Sequence, residues 1–269
     1  ITAKGIFRII PDHLLVNNKV LKEEAIKYNH MKSKDISVTG ILHYDNYVFA
    51  PQKSKEEFFE EYGFSPNKKL LLFARTGNRY IRDNKADKEI LKALSEFNVN
   101  ILVRMPPNDV VNFDGFISKK AIVYFDKTGV KDWQGGGIKL NEISKKDDES
   151  LIASLYYTDV VVSGPSTICI DASVFDKPII LTAIDTEKRN YYNSVRRYYD
   201  YEHFNPILES SGVVLVESID ELIRSVKEYM ENPSQDQEGR KRIMEKEVYK
   251  FDGGSTKRLY NVVLSFIDQ

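Results

Sequence analysis

The chain has one cysteine, Cys169, in 269 residues, so no disulfide can close within it. That cysteine sits in the apolar run Ile168-Cys-Ile170, the setting of a buried, inert thiol rather than of a nucleophile. No stretch reaches the roughly 18 consecutive apolar residues that a membrane-spanning helix needs, and no signal-peptide pattern opens the sequence. An excess of charge of one sign is missing too. Lysine and arginine total 39 against 40 acidic residues, which gives no net field for nucleic acid or an anionic membrane. His13, His30, His43 and His203 show no metal-ligand spacing among themselves, so no metal site is expected. Neither Gly-x-Gly-x-x-Gly nor the P-loop pattern follows a strand-like segment. The composition fits a cytoplasmic protein.

What is present is a core: 42% of the residues are hydrophobic. Continuous apolar runs at Leu70–Ala74, Asn100–Arg104, Ala121–Phe125, Asp159–Ser163, Pro178–Thr182 and Val213–Val216 read as strands covered on both faces. Helical patterns separate them: 87–97, a helix opened by Asp148 or Ser150 and ending at Tyr157, and one after Gly164. Three more close the chain, at 219–230, 238–249 and 256–267. Strands alternating with helices predict an α/β fold, a Rossmann-like doubly wound parallel sheet. Before it come short β-type runs at Phe7–Ile10, Leu14–Val16 and Ile36–Gly40, with Asn18 capping a helix over 19–28. Residues 41–52 have no firm periodicity and read as a crossing segment. Ser54 and Glu57 then form a capping box for a helix over 55–62. Residues 1–52 are therefore expected to be the tail of a preceding α/β domain plus the crossing, and 53–269 a complete domain. The strand-like start suggests a chain cut from something longer.

In open α/β sheets, ligands bind outside the carboxyl ends of the strands. Three loops fall on that edge: Arg75-Thr-Gly-Asn-Arg79, Arg104-Met-Pro-Pro107 and Gly164-Pro-Ser-Thr167. Ser166 and Thr167 could hold a phosphate at a helix start, with Asp171 one turn on, on the same face, for a sugar hydroxyl. The same residues would also serve as ordinary helix caps. Arg75 and Arg104 could neutralise a diphosphate or simply be solvated charges at strand ends. Thr76 and Gly77 would allow close backbone approach, which a plain turn needs as well. Gly135-Gly-Gly137 reads as a loop, and His43 is a candidate only because the crossing would border a cleft. Tyr191, Tyr192, Val195, Tyr198 and Tyr199 recur at helical spacing and read as a packing face.

Taken together, these residues resemble a family. The run Ser163-Gly-Pro-Ser-Thr-Ile-Cys-Ile-Asp171 with Phe175-Asp-Lys-Pro178 is similar to the donor-site motif of GT-B transferases in the CDP-glycerol glycerophosphotransferase group. Val38-Thr-Gly40 with Tyr44-Asp45, Leu72-Phe-Ala-Arg-Thr76, Tyr199-Asp-Tyr-Glu202, and Phe251-Asp-Gly253 with Lys257-Arg258 match further motifs in the same order. The resemblance spans about residues 35–269.

It implies that the chain is mainly the C-terminal, donor-binding half of a GT-B fold, with the general base and acceptor site upstream. Gly164, Ser166 and Thr167 would hold the donor phosphates and Asp171 the ribose or transferred group, without a metal. Arg75, Thr76, Gly77 and Arg104 complete the expected binding set; no catalytic residue is assigned. No cofactor is expected, the nucleotide-diphosphate donor being a substrate. One departure is Pro106-Pro107, where the family carries His-Pro. This makes a sugar donor at least equal to glycerol phosphate. The leading expectation is therefore a glycosyltransferase acting on a cell-surface glycan or lipid-linked acceptor in envelope polysaccharide synthesis. Glycerophosphate transfer, a nucleotide-sugar epimerase and a non-catalytic nucleotide-binding scaffold are the alternatives. Nucleic acid is not expected as a partner. Peripheral association with the inner membrane face would run through the upstream part.

Overall fold

The computed structural model of the chain describes residues 7–77, 81, 85–104, 113, 115–126 and 144–267. Strand β1 (Leu14–Val16), helix α1 (Lys19–Asn29) and strand β2 (Ile36–Val38) come first, and the two strands pair in parallel as a sheet of their own. Asn18 caps α1 as expected, its side chain accepting from the Leu21 N–H at 2.9 Å. Phe7–Ile10, expected as a strand, is not one. Among the described residues no strand pairs with it, and Ile9 and Ile10 lie exposed.

After a 3-10 turn at Leu42–Asn46 come helix α2 (Lys55–Glu61), with the Ser54–Glu57 capping box in place, and strand β3 (Leu70–Ala74). β3 shows why the chain layers as it does. All five residues are buried. Side chains alternate across a strand, so Leu70 and Leu72 enter one core and Leu71 and Phe73 the other. Helix α3 (Ala86–Leu94), strands β4 (Asn100–Arg104) and β5 (Ile122–Asp126), helix α4 (Lys145–Tyr157), strand β6 (Val160–Ser163), helix α5 (Ile168–Val174) and strand β7 (Ile179–Thr182) follow. Helix α6 (Asn205–Leu208), strand β8 (Val214–Val216) and helices α7 (Ile219–Glu231), α8 (Gln237–Glu247) and α9 (Ser255–Ile267) end the chain.

The sheet has six parallel strands in the order β5-β4-β3-β6-β7-β8, the doubly wound arrangement expected. Helices α2, α4, α5 and α8 cover one face and α3 and α7 the other. With both faces packed, truncating a side chain such as Phe73 to alanine is worth about 3–5 kcal/mol.

Two boundaries differ from expectation. Helix α4 starts at Lys145 rather than at Asp148 or Ser150, because Ser144 and Asp147 form a capping box one turn earlier. The tyrosine-rich stretch forms 3-10 turns at Tyr191–Asn193 and Val195–Tyr198 instead of one helical face. Val195 and Tyr199 pack into the core, while Tyr191 and Tyr192 are exposed. Asn78, Arg79, Met105–Pro107 and Gly135–Gly137 lie outside the described residues. Among the described residues, no helix is long and apolar enough to cross a membrane.

Candidate functional site

The strand order reverses direction between β3 and β6: β4 and β5 build outward from β3, β7 and β8 from β6. A crevice opens at such a switch point, where the two neighbouring loops diverge. Here the loops contain Arg75–Gly77 and Gly164–Thr167, and they touch. A Cβ added to Gly164 would fall well inside contact distance of Thr76 Oγ1 and 2.9 Å from its Cβ. Gly164 also donates its N–H to the Ala74 carbonyl at 3.4 Å. The glycine is there because no side chain fits between the loops.

Arg75 does not face this crevice. Its side chain has no solvent exposure, and Nη1 lies 3.6 Å from Asp87 Oδ2 in α3. The same carboxylate accepts the N–H groups of Thr76 at 3.2 Å and Gly77 at 2.9 Å. Asp87 thus supplies an anion under this loop, against the Arg75 guanidinium and these two N–H groups. Arg104 is also engaged: Nη1 lies 2.9 Å from Asp126 Oδ2 and donates to Ser154 Oγ at 3.2 Å and Ser150 Oγ at 3.4 Å. Ser150 in turn meets the Tyr62 hydroxyl at 3.0 Å. Beside this network a cavity of about 310 Å³ opens between α2, α4 and β5, with Tyr62, Tyr124, Asp126 and Ser150 among its lining residues.

On the β6 side, Ser166 is half-buried and its Oγ accepts the Ile168 N–H at 3.3 Å. Thr167 is exposed and its side chain makes no cap bond. Cys169 is fully buried, and burial pushes its thiol up to about 12, as an inert thiol should be. Helix α5 is seven residues long, so the field at its start is modest.

Asp171 turns toward the crossing segment. Its Oδ1 accepts from the Tyr47 hydroxyl at 3.3 Å, and the Tyr44 phenol is close enough to act on the same carboxylate. Burial raises the Asp171 carboxyl above its ordinary range, against the pull of the two phenols. Burial and the neighbouring carboxylate push both phenols far up, so they remain donors. The Tyr47 oxygen lies 3.1 Å from His43 Nε2, which is 3.1 Å from Asp148 Oδ1 in α4. The Tyr47 ring stacks on Phe175 with centroids 5.3 Å apart. His43 thus joins the crossing segment to α4. Tyr47 carried no pattern that singled it out in the sequence; Tyr44 entered only as part of a family motif, and Asp148 and Asp87 only as helix starts.

The remaining motif residues build a junction between the chain's two ends. Arg258 Nε donates to the Thr39 carbonyl at 2.8 Å, and its Nη1 binds both oxygens of Asp252. Asp45 accepts the N–H groups of Ser255 at 2.9 Å and Thr256 at 2.7 Å, capping α9. Asp176, at the start of the Asp-Lys-Pro run, accepts Arg240 Nε at 2.7 Å, and that arginine is fully buried.

The model of the CDP-Glycerol:Poly(glycerophosphate) glycerophosphotransferase family matches residues 10–265. The chain belongs to this family. Among relatives of this glycerophosphotransferase family, the teichoic acid ribitol-phosphate polymerase TarL of Staphylococcus aureus (strain NCTC 8325 / PS 47) is 29% identical over 241 residues, covering 85% of this chain and 37% of TarL. The structure of the wall teichoic acid polymerase TagF superposes with a TM-score of 0.61 at 16% identity, over 96% of this chain and 58% of TagF. The Staphylococcus aureus MnaA–UDP co-structure gives 0.58 at 13% identity, over 96% of this chain and 61% of MnaA. These likenesses establish the expected fold for this family member. The chain spans less than two thirds of the lengths of TarL and TagF.

Proposed function

We propose that the chain is the donor-binding half of a transferase that moves a polyol-phosphate group, glycerol phosphate or a close relative, from a nucleotide-activated donor to a cell-surface polymer. The observation that carries this reading is the contact of Gly164 with Thr76 at the β3/β6 switch point, with Ser166 and Thr167 directly beyond it, in a chain of the glycerophosphotransferase family. Ser166 and Thr167 would hold the donor's phosphates, and the cavity between α2, α4 and β5 offers room for its nucleoside on the same edge. Residues 53–269 would form this half, and residues 1–52 the end of a preceding α/β unit with the crossing. The separate two-stranded sheet of β1 and β2 supports that division. An acceptor hydroxyl, losing its proton to a base outside this half, would attack the distal phosphorus of the donor and release a nucleoside monophosphate. Use of such a donor would put the protein on the cytoplasmic side.

A sugar donor, released as a nucleoside diphosphate, is the second reading, favoured by Pro106-Pro107 in place of the family's His-Pro. Calorimetric titration with CDP, CMP, UDP and GDP tests both. CDP and CMP are expected to bind most tightly, with Thr167→Ala weakening them. A preference for UDP or GDP would move the reading to a sugar, and no binding at all would overturn the donor site.

A further inference from the structure

We propose that the tyrosine-rich stretch after β7 is a docking ledge for the acceptor, a chain of phosphate-linked polyols. Tyr191, Tyr192 and Tyr201 lie against its polyol carbons, and Arg197 holds one of its phosphates. This rests on the polyol-phosphate reading above and concerns the acceptor rather than the donor.

Residues 190–204 have a well-anchored backbone and outward-facing rings. Asp185 accepts from Ser194 Oγ at 2.5 Å and from the Val195 N–H at 3.2 Å. The Asn190 side chain accepts the Asn193 N–H at 3.1 Å, and the Tyr199 hydroxyl donates to the Thr182 carbonyl at 2.9 Å. Val195, Tyr199 and Phe204 are buried in the core. Between and beside these anchors, Tyr191 is 53%, Tyr192 75% and Tyr201 42% exposed. Tyr191 and Tyr192 meet edge to face with centroids 5.6 Å apart, and Tyr198 and Tyr201 do so at 5.7 Å. Large rings gathered on a surface mark a place of contact. Tyrosine on a fixed backbone gives contact area at little entropic cost.

A cation stands among these rings. The Arg197 guanidinium lies 4.7 Å from the Tyr198 ring centroid, and its Nη2 donates to the Tyr198 hydroxyl at 2.7 Å. Tyr191 and Tyr201 are within its electrostatic reach. Its neighbours have carboxylate partners: Arg189 pairs with Glu187 at 3.0 Å and Arg196 with Glu217 at 2.6 Å. Arg197 forms no ion pair among the described residues, and its Nε has no hydrogen-bond partner there. A guanidinium with donors to spare suits a phosphate, and ring faces suit the carbons of a polyol. Asp200 borders Tyr191, which favours a ligand whose charges are spaced by neutral groups over a densely anionic one. The position fits as well. The ledge follows β7, which pairs with β6, and Ser166 and Thr167 stand just beyond the carboxyl end of β6. Tyr199 also shares a core with Cys169 and Ala172 of α5. A polymer whose terminal hydroxyl reaches the donor has to lay its preceding repeats over a neighbouring part of this edge.

Binding measurements on the whole chain test this. Glycerol-phosphate oligomers of increasing length, inorganic phosphate, phosphatidylglycerol vesicles and CDP are titrated into wild type, Arg197→Gln and the Tyr191→Ala/Tyr192→Ala pair. Oligomer affinity is expected to rise with length, to weaken with added salt and to fall about tenfold in each variant. CDP should bind all three proteins alike. The Tyr191→Phe/Tyr192→Phe pair keeps the rings and should keep most of the oligomer affinity, which separates lost contact from lost folding. Wild-type oligomer affinity in both Arg197→Gln and the alanine pair would overturn the proposal, as would no oligomer binding by wild type. Inorganic phosphate binding as tightly as the oligomers would reduce the ledge to a bare anion site. Binding to vesicles but not to oligomers would assign it to lipid headgroups instead. Weaker CDP binding in either variant would place these residues in the donor site, and self-association lost in the alanine pair would make the ledge a contact between copies of the chain; each of these results overturns the acceptor assignment. If no nucleotide binds but oligomers do, and the variants weaken them, the donor-site reading fails while the ledge stands.

Discussion

The guanidinium of Arg75 and the carboxylate of Asp87 face each other across 3.6 Å with essentially no solvent exposure on either side chain. Asp87 also holds the N–H groups of Thr76 and Gly77, so it organises the loop that forms one wall of the crevice. Asp87→Ala leaves a buried arginine and two loop N–H groups without this acceptor. Removing one partner of a buried pair costs about 3–5 kcal/mol. Denaturant unfolding is expected to show a loss of that size, and a change under 1 kcal/mol would contradict the assignment.

Gly164→Ala tests the contact between the two loops. The new methyl collides with Thr76 Oγ1 and stands 2.9 Å from Thr76 Cβ and 3.3 Å from its Cα. Overpacking of this kind costs about 1–3 kcal/mol. Adding Thr76→Gly removes the clashing side chain and should recover part of the loss. Non-additivity in chemical denaturation is the readout, and simple additivity would mean that the loops do not press on each other.

How much of this was legible beforehand differs between backbone and side chains. The apolar run Leu70–Ala74 announced a strand covered on both faces, and the strand–helix alternation announced the parallel sheet, because burial on two faces leaves a mark at every position. That Arg75 ends a strand was equally readable. The direction of its side chain was not, since it depends on Asp87, a residue that reads locally as no more than the acidic start of a helix. Asp171 is the same case: its place one turn past Thr167 follows from helical spacing, but its partners come from residues 44 and 47, in a segment without periodicity. Ser144 lost to Asp148 and Ser150 in the sequence because all three are cap-type residues, and the choice among them falls to the surrounding fold.

The junction at α9 should titrate at the acid end. The Arg258 side chain, with the Gly254 N–H, holds the Asp252 carboxyl below its ordinary 3.8. Partial burial pulls Asp45 the other way, but bonds from Thr256 and Ser255 bring it below 3.8 as well. A depressed folded value means stability that is present above the unfolded value and lost as pH falls through the folded one. Thermal midpoints of the wild type should therefore drop below about pH 4 more steeply than those of Asp252→Asn. Because Asp252 is half exposed, the difference should be small. Parallel pH curves would argue against the pairing.

Cys169 should report on opening of the core. With the thiol fully buried and pushed up to about 12, the native chain is expected to react with a thiol reagent such as dithionitrobenzoate only as fast as it unfolds. Labelling should speed up in step with denaturant, and fast stoichiometric labelling of the native chain would contradict the buried assignment.

The bonds from Asp45 and Thr39 to Ser255, Thr256 and Arg258 join positions more than 200 residues apart in the sequence. A stop codon after Tyr249 would delete no residue of the crevice and no strand of the sheet. It would nevertheless release the segment that carries Tyr44 and Tyr47. Such a truncation would then reach the candidate site from a distance, and a survey of C-terminal deletions would misread the tail as expendable if it scored folding alone.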